Sequence, residues 1–205
     1  NTMSEFSNEE APRQSSIGTS IIPVEWRDTK INVIDAPGYL DFVGEVYSAL
    51  RAAESAILVV DATSGVEVGT ELVWKYCEEI DLPRIIFVNK IDGENVNFRR
   101  LMEELESKFG KKVVPFSTPI GEGEDFKGVT DVIFQKGYQY ENGAPTEIEL
   151  NHDQLKSTER IYEEITEIIA ESSEDLLDKY FEGETFTREE ILRGVTAALI
   201  NGDAV

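Results

Sequence analysis

Two short segments bring together residue types whose spacing can do chemistry: Asp35-Ala36-Pro37-Gly38 and Asn89-Lys90-Ile91-Asp92. In the first, an aspartate can hold Mg²⁺ through water, and a glycine three positions on lets a backbone N–H approach a terminal phosphate without a side-chain clash. Taken alone the pattern is open, because Asp and Gly close strands in many proteins for turn chemistry only. In the second, the Asp92 carboxylate can accept from both the N1–H and the exocyclic amine of guanine. Adenine presents an acceptor at N1 and lacks that amine. Hydrogen bonds to a charged group contribute roughly 1.5–3 kcal/mol each, and a carboxylate left unpaired against adenine adds a penalty, so Asp92 selects guanine. Lys90 can lay its methylene stem over the purine ring, and the Asn89 amide can tie the loop to its neighbours.

Both segments sit where strands end. Alternation over Ser20 to Trp26 and Lys30 to Ile34, around a turn at Arg27-Asp28-Thr29, predicts a hairpin that ends at Asp35. Helical spacing follows from Leu40 to Ala53, then an apolar run from Ser55 to Asp61 that reads as a strand covered on both faces. A helix over Glu67 to Ile80, a second buried strand over Arg84 to Val88 and a helix from Asn97 to Phe109 complete the first half. Strand, helix, strand, helix predicts an α/β fold with an open, mostly parallel sheet, whose strand ends are where such sheets hold ligands. Asn89 to Asp92 follow a core strand one βαβα stretch after Asp35 and Gly38, and this placement turns two common tetrapeptides into a GTP-binding reading.

Beyond Lys111 the character changes. Short strands are expected over Val113 to Ser117, Val129 to Gln135 and Gly137 to Glu141, with a turn at Gly143-Ala144-Pro145. Helices are expected over His152 to Ala170, Ser173 to Tyr180 and Thr187 to Ile200, the last opening on a capping box of Thr187 and Glu190. The division is therefore a GTPase-like core over 1–110 and an acidic α+β subdomain over 111–205.

The chain has 205 residues, enough to bury roughly 70% of its unfolded surface. With 41 Asp plus Glu against 19 Lys plus Arg, its formal charge of −22 argues against a nonspecific grip on DNA, RNA or an anionic membrane. Residues 141–190 hold 16 acids and 4 bases, a solvated face or a docking surface for a basic protein. The lone Cys77 has no partner for a bridge and reads as a small buried hydrophobe. With no apolar run near the length of a membrane span and no secretory pattern over Asn1 to Gln14, the expected location is cytoplasmic.

The run Ile31 to Phe42, together with Gly65-Val66-Glu67, Pro83 to Asp92, Pro119-Ile120-Gly121, Phe126 to Ile133 and Leu177 to Phe181, resembles the GTPase domain of bacterial elongation factor G with its inserted subdomain. The resemblance covers essentially the whole chain. It implies a P-loop GTPase-type fold, GTP or GDP and Mg²⁺ as ligands, and a parent protein that hydrolyses GTP on the ribosome. Asp35 would face Mg²⁺, Gly38 the γ-phosphate, and Asn89, Lys90 and Asp92 the guanine. Arg13-Gln14-Ser15-Ser16-Ile17 falls where the family carries its first switch segment, which gives Ser16 the Mg²⁺-ligating position. The resemblance also implies that the acidic subdomain meets the ribosomal stalk protein.

Three departures stand out. Tyr39 replaces the histidine that orients the attacking water in the family, and a phenol is a poor base. Slow hydrolysis is expected, and with it an alternative: a catalytically weak GTP-binding regulatory or ribosome-protection paralogue. No Gly-x-x-x-x-Gly-Lys-Ser/Thr occurs in the sequence, and no guanine-contacting Ser-Ala segment follows the subdomain. The expectation is a fragment that begins just after the phosphate loop, with an unfilled core or a gap between strands; a fragment unable to bind nucleotide on its own is part of the alternative reading.

Overall fold

The computed structural model describes residue 10, residues 15–141 and residues 144–205. Arg13, Gln14, Gly143 and the opening stretch before Glu10 lie outside the described residues. The order of elements is β1 (Ser20–Trp26), β2 (Thr29–Asp35), α1 (Val43–Ala52), β3 (Ala56–Asp61), α2 (Val68–Glu79), β4 (Arg84–Asn89), α3 (Phe98–Phe109), β5 (Ser117–Ile120), β6 (Gly128–Asp131), β7 (Lys136–Glu141), β8 (Ala144–Ile148), α4 (His152–Glu171), α5 (Glu174–Phe181) and α6 (Arg188–Asn201). Short 3₁₀ turns lie at Leu40–Phe42 and Gly123–Asp125. The chain divides into two compact units, Asn1–Leu58 with Glu67–Pro83, and Val59–Val66 with Arg84–Val205.

The expectation of an open, mostly parallel sheet of P-loop GTPase type is overturned. Among the described residues the strands form three separate sheets, β1-β2, β3-β4 and β5-β6-β7-β8. The first and third are antiparallel throughout. The reason is the length of the connections: a two-residue turn can only reverse the chain, and only a crossover through a helix can bring the next strand in parallel. At Arg27 (φ 44°) and Asp28 (φ 60°) both central turn residues are left-handed, the geometry of the primed turn that matches strand twist, and Trp26 pairs with Thr29. β3 and β4 are joined through α2. The Ala56 N–H donates to the Pro83 carbonyl and the Ala62 N–H to the Asn89 carbonyl, both at 2.9 Å, so partner positions advance in the same direction.

The expectation that the β3 run is covered on both faces also fails. Ala56, Leu58 and Val60 are buried, whereas Ile57 is 65% and Val59 61% exposed. Side chains alternate across a strand, so a wholly apolar run shows one of its two faces wherever only one is packed. In β4, Ile85 and Phe87 are likewise exposed.

In the second unit, one buried core is made by Val114, Val132, Ile165, Ile169, Leu176 and Ala198, with Phe116, Ile161 and Ile168 packed against it. Reciprocal capping boxes start two of its helices, Asn151 with Gln154 before α4 and Thr187 with Glu190 before α6. The strand expected from Val113 begins at Ser117 instead. Val113 and Val114 are buried for a different reason: the Val114 N–H donates to the Val205 carbonyl at 3.2 Å, and the Val205 N–H to the Lys112 carbonyl at 2.8 Å. Among the described residues no helix is long and apolar enough to cross a membrane.

Candidate functional site

In the second unit, β3 and β4 end side by side, and the segment Asn89-Lys90-Ile91-Asp92 leaves the end of β4. Lys90 has left-handed backbone (φ 56°), which turns the chain sharply as the strand ends. The Gly93 N–H then donates back to the Lys90 carbonyl at 2.9 Å and closes the loop. A Cβ on Gly93 would lie 2.5 Å from Thr63 Cγ2 and 3.0 Å from the Lys90 oxygen, so this turn demands glycine. From the other side, the Gly123 N–H donates to the Ile91 carbonyl at 3.0 Å, and Glu122 Oε2 accepts the Phe98 N–H at 3.2 Å.

Asp92 is exposed, and its carboxylate has no hydrogen bond or ion pair among the described residues. A free carboxylate held on a closed loop suits an incoming pair of N–H donors. The Lys90 ammonium meets Asp61 Oδ2 at 2.6 Å, while the lysine side chain is 64% exposed. Asp61 ends β3, and its other carboxylate oxygen accepts the Thr63 N–H at 2.8 Å and the Thr63 hydroxyl at 2.6 Å. Lys90 first, and then the Thr63 donors, hold the Asp61 carboxyl well below the usual carboxylate range. Sequence reasoning missed Asp61. Its only signal is an acid closing an apolar strand, two residues before a threonine; the lysine partner is brought in by the β3-β4 pairing.

Ser16, Asp35, Gly38 and Tyr39 belong to the first unit. Asp35 closes β2, opposite Ser20 of β1, half-buried and with no side-chain partner among the described residues. Gly38 lies in the loop that follows, where a Cβ would meet nothing within 4 Å and the backbone is not left-handed. Neither packing nor backbone geometry among the described residues requires a glycine here. Tyr39 is 62% exposed and stands at the N-cap of the 3₁₀ turn, where its carbonyl accepts the Phe42 N–H at 3.0 Å and its side chain makes no capping bond. Ser16 is half-buried; the next two backbone N–H groups, Ile17 and Gly18, donate to Glu10 Oε1 at 2.9 and 3.2 Å.

Among the described residues no three His, Cys, Asp or Glu side chains gather in a metal-holding group. Mg²⁺ accepts such sparse protein ligation when phosphate oxygens and water supply the remaining positions, and a serine hydroxyl and a carboxylate are hard oxygen donors of the right kind. The free, half-buried Asp35 carboxylate fits that role.

The Elongation factor Tu GTP binding domain family matches residues 1–198. An elongation factor G-like protein of Thermotoga maritima is 35% identical over 196 residues, which cover 96% of this chain and 28% of that protein. A crystal structure from Thermus thermophilus superposes with a TM-score of 0.91 at 36% identity, covering 100% of this chain and 31% of the other. The chain therefore spans less than a third of the length of these relatives. This near-full-length domain match does not confirm the expected loss of a phosphate loop. By these matches along its length, the chain belongs to the elongation factor Tu GTP-binding domain family.

Proposed function

We propose that this chain is the guanine-nucleotide-binding part of an elongation factor G-like translational GTPase, and that the parent protein hydrolyses GTP to GDP and phosphate on the ribosome. The observation that carries this reading is the loop at the end of β4: a closed turn that holds an unpaired, exposed Asp92 carboxylate beside an anchored Lys90. Asp92 accepts the two N–H donors on the guanine edge, the Lys90 stem lies over the ring, and the Asn89 amide braces the loop. Asp35 and Ser16 hold Mg²⁺, and the Gly38 N–H meets the terminal phosphate. The ion, when bound with nucleotide, offsets charge that builds on the transferred phosphoryl group. The functional division follows 1–110 for nucleotide and 111–205 for docking. The exposed acids Glu163, Glu167 and Glu171 of α4 support a basic partner for the second region, and the ribosomal stalk protein is the one the family suggests.

Tyr39 favours a second reading, a paralogue with slow hydrolysis. Its exposed phenol can hydrogen-bond a water but is a poor base for it.

Calorimetric titration with GDP, xanthosine diphosphate and ADP tests the base reading. The chain should prefer GDP over ADP by at least about 100-fold, as two hydrogen bonds to a charged group allow. Asp92→Asn replaces an acceptor with an amide that can donate to the extra xanthine carbonyl, and should move the preference to xanthosine diphosphate. Equal affinity for ADP, or no change of preference in the variant, overturns the reading.

A further inference from the structure

We infer that Asp61 is a positioning residue for the purine site: it tethers the Lys90 ammonium so that the lysine stem stands as a fixed platform for the base. This rests on the guanine reading of the β4 loop and adds a residue to it from the neighbouring strand.

Asp61 is itself held from several sides. Its backbone carbonyl accepts the Ser64 N–H at 3.1 Å and the Gly65 N–H at 2.9 Å, and its Oδ1 takes both Thr63 donors. The turn is braced from α3, where Glu104 Oε1 accepts the Val66 N–H at 3.3 Å. Gly65 holds a left-handed backbone (φ 74°) in which any other side chain would be strained. With Oδ1 occupied, Oδ2 is the oxygen left to face Lys90, and it does so at 2.6 Å.

A surface lysine ordinarily buries its stem and leaves its head in water. Here the head is fixed on a carboxylate that is only 24% exposed, while the side chain as a whole remains 64% exposed. An exposed ion pair adds little to fold stability, and long side chains lose entropy when held in one geometry. Holding that geometry before ligand arrives transfers the ordering cost from the binding step to the folded state. The Thr63 methyl against Gly93 joins the same turn to the far side of the loop, one residue past Asp92.

Two measurements test the inference. The first needs no nucleotide: the rate of reductive methylation of Lys90, read by mass spectrometry, in the chain and in Asp61→Asn. The asparagine keeps an oxygen for the Thr63 N–H and removes the charge. A rise of about five-fold is expected; an unchanged rate overturns the tether. The second is a double-mutant cycle on GDP affinity with Asp61→Asn and Lys90→Met. Each single variant should bind about 10-fold more weakly through faster dissociation, and the double variant no more weakly than Lys90→Met. Additive losses, or no loss in Asp61→Asn while Lys90→Met and Asp92→Asn act, overturn the inference and leave the base reading standing. If Lys90→Met and Asp92→Asn change nothing, or GDP does not bind, the base reading fails and the inference with it. Should Asp61→Asn not fold, Thr63→Val removes one of the bonds that aim the carboxylate and should act in the same direction by about three-fold; no effect there counts against the inference.

Discussion

The lobe built from β5–β8 with α4–α6 and the pair β3-β4 dispose of their apolar residues differently. In the lobe Val132, Ile165, Ile169 and Leu176 close into one interior, and many polar groups at its surface bond to one another. Glu190, for example, takes the Thr187 N–H at 2.7 Å and the Lys179 ammonium at 3.0 Å. In β3-β4 one apolar face is buried and the other is open, and the loop at the strand ends keeps the Asp92 carboxylate unspent. Stability concentrates where polar groups are consumed internally, and chemistry where they are left over.

The sharpest way to break this contrast is Leu176→Ala, since that side chain is fully buried at the centre of the lobe. Removing it should cost about 2–5 kcal/mol, measured by urea unfolding followed through exchange of α5 amides. A loss below about 1 kcal/mol would mean that the lobe is not closed in solution.

Acid should act next. Thr187's backbone N–H, then Lys179 and the Thr187 hydroxyl, hold Glu190 down to about 2 from its ordinary 4.5. A depressed folded value means the unfolded chain takes up protons first. The stabilisation is therefore complete above pH about 4.5 and drains away as pH falls towards about 2. Melting temperatures of the chain and of Glu190→Gln, compared across that window, should converge as the solution is acidified; a constant gap would remove the ionised pair from the account.

The smallest effect is expected on the open face. Ile57→Thr keeps a β-branched residue at an exposed strand position and should change stability by no more than about 0.5 kcal/mol. A loss of several kcal/mol in the same unfolding assay would show that something covers this face in solution.

Much of this was legible in the sequence, for reasons specific to each part. The β1-β2 hairpin, the helices and the Thr187–Glu190 capping box follow from local patterns, because alternation, helical spacing and caps act over a few residues. Strand direction was not legible in full, since it depends on which strands become neighbours. Val113 and Val114 read as a strand because burial and extended pairing share one composition; their partner, Val205, is 91 residues from Val114 along the chain and leaves no local trace. At the candidate site the Asn89–Asp92 loop was readable as a motif, but Asp61 was not. Its meaning arises only when β3 and β4 end level and place it against Lys90.

On the proposed guanine reading, the left-handed backbone at Lys90 sets the fold against the ligand. A lysine at φ 56° costs the chain on the order of 1–2 kcal/mol that a glycine there would not. A laboratory selection for heat resistance alone would favour glycine or asparagine at position 90, and each such winner would have discarded the stem that the proposed guanine reading lays over the base. On that reading thermal robustness and nucleotide retention pull this single position in opposite directions, and a library scored on melting temperature would be blind to what it was losing.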